Sequence, residues 1–250
     1  MRLFEFATTE DTTILREGVK LKSPQEVYAY ACVVSEAYDA APAREPDAVK
    51  AFGVLYQSIA KLLKRAKSDV DVNFTPDDPY SSPEEVGNDI IKNKNLDVYS
   101  GHSDHPVLTP DQNVEFRAVH DYFAHIGPNR KSKGKYKSHN FTLRGEYNAY
   151  VTHARMAPKG TVAVLFTEVV GQASYFNVMG NFPEQKAAVL PGFDYIDIGV
   201  MDEAKTARFE KIVSMLMDDS VPGFKLKIKG GHVVDKSKID WTAIATSGKK

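Results

Sequence analysis

Between Asn113 and Lys186 the chain repeatedly sets titratable and hydrogen-bonding residues inside apolar patterns of helical period. The stretch reads NVEFRAVHDYFAHIG, then a basic segment to His139, then FTLRGEYNAYVTHARM, then LFTEVVGQASYFNVMGNFPEQK. Six of the seven histidines fall between His102 and His153. A polar group at a core-facing position is costly unless it is paired or used. A chain carrying this stretch must therefore pack helices around a partly polar interior.

The flanking segments set the architecture. Ser23-Pro-Gln-Glu supplies an N-cap, a proline at the first helical position and a carboxylate near the third. Val27, Ala31, Val34 and Ala37 continue that helix until Pro42. A second helix is predicted from about Glu45 to Ser68, with Val49, Phe52, Leu55, Tyr56, Ile59, Leu62 and Leu63 as its apolar stripe. Lys61, Lys64, Arg65 and Lys67 near its end complement the helix dipole. Val70 to Phe74 and Leu96 to Tyr99 read as short strands around a helix reaching about Lys92, which suggests a small parallel pair with a crossover. Met1 to Lys22 reads as a short strand and a surface lead-in.

Three helices follow, at about Pro110 to Ile126, Thr142 to Met156 and Lys159 to Met179. FPEQKAAVLPG suggests one more short helix, with Pro183 near its start and Pro191-Gly192 stopping it. Asp202 to Asp218 is an amphipathic helix, Phe224 to Ile228 and Val233-Val234 form a hairpin, Trp241 tucks into the core, and SGKK frays. The expected fold is mainly α with a small β element (α+β), as a single helical domain over 1–250. Within it lie an N-terminal helical part with short strands (1–95), a motif-bearing core (96–191) and a C-terminal helix with a hairpin (192–250).

Bulk properties exclude several classes. A formal net charge of -1 gives no global attraction to nucleic acid or membrane, so any basic surface is local. The single cysteine, Cys32, excludes an internal disulfide framework and a cysteine-rich zinc site. No run approaches the roughly 18 apolar residues of a membrane span, and MRLFEFATTEDTT lacks the order of a signal peptide.

On an α-helix Arg117, Asp121 and His125 line one face at intervals of four, with His120 between that face and the apolar one. An aspartate four residues from a histidine orients the imidazole and raises its basicity, which serves a general base or a metal ligand. Glu146, Tyr150 and His153 share a face of the next helix, and Glu168, Gln172 and Tyr175 one of the third. The expected outcome is a buried polar cluster between three helices. Its catalytic candidates are His120, Asp121, His125, Glu146, His153 and Glu168, and its candidate divalent-metal ligands are His120, His125 and His153. Arg144, Asn148, Arg155, Gln172 and Lys186 are the candidate substrate-binding residues. No HExxH or Glu-x-x-His pair occurs, so spacing names no metal. Pro106 and Pro110 keep His102, Asp104 and His105 off any helix, as a lid or a source of further ligands. The structural alternative is an ion network in which Arg117, Arg144 and Arg155 neutralise Asp121, Glu146 and Glu168. Gly171, costly inside a helix, is placed there for close packing or for ligand approach.

The loop Gly127 to His139 carries Arg130, Lys131, Lys133, Lys135 and Lys137 with Tyr136 among them. It reads either as a solvated, mobile loop or as a basic flap with a stacking aromatic, which suits a polyanion, a nucleotide or nucleic-acid backbone, better than a neutral metabolite.

FRAVHDYFAH, RGEYNAYVTHARM, TEVVGQASYFN and FPEQKAAVLPG together resemble a family found in tailed bacteriophages, as small stand-alone proteins and as a module of large phage polyvalent proteins. The resemblance covers about Val98 to Pro191. It implies a phage source, in host cytoplasm or virion, and carries no established activity. The positions matching its signature polar residues are His120, Asp121, His125, Glu146, Asn148, His153, Arg155, Glu168, Gln172, Gln185 and Lys186. The functional expectation is a phage-encoded enzyme acting on a nucleotide or nucleic acid through an acid–base or divalent-metal centre. The alternatives are a virion structural protein with a buried polar network and a ligand-sequestering binding protein.

Overall fold

A computed structural model describes residues 20–127, 139–218, 225–227 and 233–245. The expected strand and lead-in up to residue 19, the basic segment 128–138, the hairpin turn 228–232 and the C-terminal SGKK lie outside the described residues.

Helix α1 (Pro24–Ala40) starts as its sequence dictates. Ser23 Oγ accepts from Glu26 N at 3.1 Å, and the Glu26 carboxylate accepts from Ser23 N at 2.9 Å, a reciprocal capping box. Helix α2 (Pro46–Ala66) buries Phe52, Leu55, Ile59 and Leu63 along one stripe. Strand β1 (Asp71–Thr75), helix α3 (Pro83–Lys92) and strand β2 (Asn95–Tyr99) form the expected parallel pair, with Val72 opposite Leu96 and Phe74 opposite Val98.

The core continues with α4 (Pro110–Val119), which runs into a π-helical segment, His120–Ile126. Helix α5 (Leu143–Ala154) follows. Helix α6 is α-helical over Val162–Phe166, π-helical over Thr167–Gly171 and α-helical again over Gln172–Met179. Then come α7 (Glu203–Met217), the hairpin β3 (Lys225–Lys227) and β4 (Val233–Asp235), and α8 (Trp241–Ala245). Helix α1 packs on the C-terminal half of α6 and on α7, while α5 lies against both π-helical segments. The buried apolar side chains from Leu21 to Ile244 form one contiguous cluster. Trp241 meets Tyr28 edge-on, ring centroids 6.0 Å apart, as expected of a core-seeking tryptophan.

The chain is thus mainly helical with a small β element. One element differs from expectation: FPEQKAAVLPG is not helical. Ala187 instead bridges in parallel to Arg44, donating its N–H to Ala43 O at 2.9 Å and accepting from Glu45 N at 2.8 Å. Ala187, Ala188 and Leu190 are fully buried, so tertiary pairing with the α1–α2 connection satisfies this backbone in place of a local helix. Helix α6 also corrects the absence of a span-length apolar run. At 18 residues and mean hydropathy 1.2 it could cross a membrane by length and composition, yet over half of it is buried inside the protein, as in a core helix. Gly171 serves packing: a Cβ there would lie 2.7 Å from the Tyr38 ring of α1.

Candidate metal centre

Two of the three polar helices change pitch where their titratable residues sit. In an α-helix His120 and His125 would stand roughly 140° apart around the axis. In the π-helical segment hydrogen bonds run between residues five apart, as Gly127 N donates to Tyr122 O at 3.1 Å. The same pitch brings His120 edge-on to His125, ring centroids 4.9 Å apart. The π pitch thus adds a pairing of two histidines five apart, while Asp121 keeps its electrostatic contact with His125 and Arg117. Gly127, in the left-handed region at φ 54°, ends the segment.

Glu146 comes up from α5 beneath this pair. Its Oε1 lies 3.3 Å from His125 Nε2 and its Oε2 lies 3.6 Å from His120 Nε2. One ligand atom from each residue falls within 4.8 Å of the others. Both histidines are buried, and Glu146 keeps 22% of its side chain exposed, so the group has one open side. Thr142 caps α5 by accepting from Gly145 N, and Gly145 lets the helix start close to the Asn140 carbonyl, where a Cβ would come within 1.9 Å. That contact fixes the backbone next to Glu146.

The hydrogen bonds decide the ring protons. His125 Nδ1 lies 2.9 Å from the carbonyl of His139, which only accepts, so Nδ1 carries a hydrogen. On a neutral ring Nε2 then presents a lone pair to the Glu146 carboxylate, and two acceptors meet. A proton or a cation between them resolves the conflict. In the absence of a cation the proton does so. Burial opposes the charge on His125, but Glu146, then Asp121 and the His139 carbonyl, push its pKa up to about 9. Burial likewise opposes ionisation of Glu146, yet His125 and His120 hold it well below the usual carboxylate range.

His153 meets His120 Nδ1 to Nδ1 at 3.2 Å, so the two rings share one hydrogen. Burial, then His120 and His125, hold His153 well below the ordinary imidazole range, so it is neutral. It stands behind His120, where it can set that ring's tautomer. Asp121 is beside both histidines; burial raises its carboxyl, and His125 and His120 oppose the rise.

A second polar group adjoins the first. His105 Nδ1 accepts from Val107 N and Leu108 N at 3.0 and 2.9 Å, so its hydrogen sits on Nε2, 3.6 Å from Glu168 Oε2. Both side chains are almost wholly buried. Burial pushes the Glu168 carboxyl up to about 7, against the pull of Gln172 and Arg117. Arg117 sits between the two groups and feels both Glu168 and Asp121. It donates to the carbonyls of Tyr99, Gly101 and His102 at 3.1, 2.5 and 2.6 Å. The sequence reading places His105 on a loop as part of a lid or a source of further ligands, and its signal is a histidine immediately before Pro106 on the approach to α4.

The structure thus brings together His120, Asp121, His125, Glu146 and His153, and places Glu168 and Gln172 in the adjoining group. It takes other expected residues elsewhere. Tyr150 turns away to donate to the carbonyls of Tyr195 and Val162. Arg144 donates to the carbonyl of Leu21. Lys186 Nζ donates to the carbonyls of Tyr38, Asp39 and Ala41 at 2.7, 3.0 and 2.6 Å, closing the C-terminus of α1. Arg155 is exposed at the C-cap of α5, and Asn148 lies half-buried on that helix. Of the three arginines read from the sequence, Arg117 is the one that acts on Asp121 and Glu168 among the described residues, while Arg144 serves the Leu21 carbonyl.

The donor set is two imidazoles and a carboxylate. Ligands at about 2.0–2.1 Å from a tetrahedral zinc lie roughly 3.3 Å apart, which the His–Glu separations approach. Two histidines and one carboxylate suit zinc or ferrous iron better than calcium or magnesium, and three protein ligands leave a position for water or substrate. No family model, curated protein or solved structure matches the chain.

Proposed function

We propose that the protein is an enzyme whose His120, His125 and Glu146 hold a divalent metal ion of catalytic type, acting on a nucleotide or nucleic acid. One observation carries the metal reading: two imidazole nitrogens converge on a single carboxylate, and His120 Nε2 is buried without a hydrogen bond. An ion network that served only to hold helices in register gains from satisfying its atoms. Here His105 Nε2 and Glu168 Oε2 reach only each other, at 3.6 Å, and His153 Nε2 and Gln172 Nε2 are buried without a hydrogen bond. That pattern favours a working site over the structural alternative.

In this reading the metal supplies Lewis-acid activation of water or of a phosphoryl oxygen. The His139 carbonyl orients His125 through Nδ1, the usual partner of a metal-binding imidazole. His153 takes the Nδ1 hydrogen of His120 as an acceptor, freeing Nε2 as a ligand. Asp121, beside both rings, is the group for proton transfer. The substrate class rests on the basic composition of 128–138. That segment begins after Gly127 and ends at His139, which is tied to His125 at both N–H and carbonyl. A phage source is part of the same proposal and rests on the motif resemblance.

The test is melting of the metal-stripped protein with zinc, ferrous iron or manganese, followed by turnover of a nucleotide panel. One metal should raise the Tm and support turnover in the native sequence, and neither effect should survive in Glu146→Gln or His120→Ala. Equal shifts in the native protein and both variants would overturn the metal centre.

A further inference from the structure

Four rings lie in a row beside Arg117, three of them exposed and Tyr99 half-buried. Phe176 of α6 and Phe182 just beyond it stack with centroids 4.4 Å apart and planes 27° from parallel. His102 stacks on Phe182 at 5.8 Å, also at 27°, and Tyr99 stands 6.3 Å beyond His102. Phe182 is 55% exposed and Phe176 39%, and His102 is exposed as well. Single apolar side chains at a surface are ordinary, whereas a contiguous aromatic row marks a contact surface.

The backbone is bent to build this row. His102 holds φ 50°, the left-handed region that a side chain with a Cβ disfavours. Arg117 Nη2 and Gln185 Nε2 fix it there by donating to its carbonyl at 2.6 and 2.9 Å. Gly101 lets the Tyr99 ring fold onto the turn, since a Cβ there would lie 2.0 Å from the phenolic oxygen. The Arg117 guanidinium lies 6.0 Å from the Tyr99 ring centroid. A strained residue pinned by polar anchors, and displayed to solvent, is characteristic of a recognition element.

We infer that the row is a stacking platform for a nucleobase of the substrate. Phe176, Phe182 and His102 are stacked at 27° to one another in turn, while Tyr99 tilts 54° from His102. The stacked rings suit a planar ring that extends them, because every base offers a π-face. The row adjoins Arg117, which anchors the His102 turn and interacts electrostatically with Glu168 and Asp121. The inference takes its ligand class from the nucleotide reading above. A free nucleotide and a single strand present the same base, so the experiment separates them.

Binding is followed by fluorescence anisotropy of a labelled oligodeoxyadenylate, with an abasic strand of the same phosphate count as control and adenosine monophosphate as competitor. The native protein should bind the base-bearing strand about ten-fold or more tightly than the abasic one. Phe182→Ala and Phe176→Ala should abolish that preference without changing abasic binding, and Phe182→Trp should keep it. His102→Gly should lose the preference while leaving Tm unchanged or higher, because glycine accepts the left-handed backbone. Displacement by the mononucleotide assigns the base to a free nucleotide, and its failure assigns it to a strand; either supports the platform. Equal binding of both strands, or an unchanged preference in Phe182→Ala, overturns it. The metal-induced Tm shift, measured on the same samples, separates the two readings. Its persistence without base preference removes the platform alone, and its absence with base preference removes the metal centre alone.

Discussion

His125 and Glu146 face each other across 3.3 Å with no hydrogen on a neutral imidazole to join them, because the His139 carbonyl has claimed the hydrogen of the other ring nitrogen. This arrangement makes the pair a binder of one positive charge, whether proton or metal ion.

Metal binding should therefore expel a proton. The pKa of His125 is raised from 6.5 to about 9, burial being outweighed by Glu146 and Asp121, so the ring is protonated at pH 7.5. Titration calorimetry with zinc in buffers of different ionisation enthalpy should show about one proton released at that pH, and less as pH rises through 9. Release that does not vary with pH would place the metal elsewhere.

Glu168 should make stability depend on pH in the opposite sense to an ordinary ion-paired carboxylate. Burial raises its pKa from 4.5 to about 7. Its contribution is fully present below pH 4.5 and is lost as pH rises through 7, by roughly 3 kcal/mol. Glu168→Gln keeps the shape and removes the titration. Urea unfolding should show the native protein losing stability relative to this variant between pH 5 and 8. His105 works the other way: burial lowers it to about 4, so its contribution is present above pH 6.5 and lost on acidification. The comparison with Glu168→Gln isolates the carboxyl from that opposing effect.

Lys186→Ala should damage the fold and spare the site. It leaves three carbonyls at the end of α1 without their donor. A loss of about 1–3 kcal/mol is expected by thermal or urea unfolding, with metal stoichiometry unchanged.

Gly145→Ala should damage both. Its Cβ would come within 1.9 Å of the Asn140 carbonyl and 2.1 Å of Asn140 Oδ1, so the helix start must shift and carry Glu146 with it. A stability loss of about 2–4 kcal/mol and a loss of metal affinity of ten-fold or more are expected. Retained affinity would show that Glu146 tolerates displacement and is not held to ligand geometry.

Local chemistry determined the elements. Ser23, Ser82, Thr109, Thr142 and Asp202 each cap a helix through their side chains, and prolines stand at the start of α1, α2, α3 and α4. Those signals act between neighbours in the chain, so these capped helices, the parallel strand pair and the hairpin are legible without coordinates, whereas FPEQKAAVLPG, with Pro183 and Pro191 as its signals, is not helical. The concentration of polar residues on three core helices is legible too, because a buried histidine or glutamate interrupts an apolar pattern wherever it sits.

Tertiary structure decided which polar residues meet. The α-helical period joined Asp121 to His125, which remain neighbours, and Glu146 to Tyr150, whereas π pitch also joins His120 to His125 and Tyr150 donates to the Tyr195 carbonyl. A π turn gains its stability from helices packed around it, here α5 against both segments, and leaves no mark in local propensity. Lys186 and Arg144 were indistinguishable in sequence from substrate-binding cations, because the carbonyls they serve belong to α1 and Leu21, far along the chain. His105 acquired its role only when α6 brought Glu168 beside it. The chain thus specifies its helices and its polar inventory by itself, while packing between distant segments fixes the pairs on which chemistry depends.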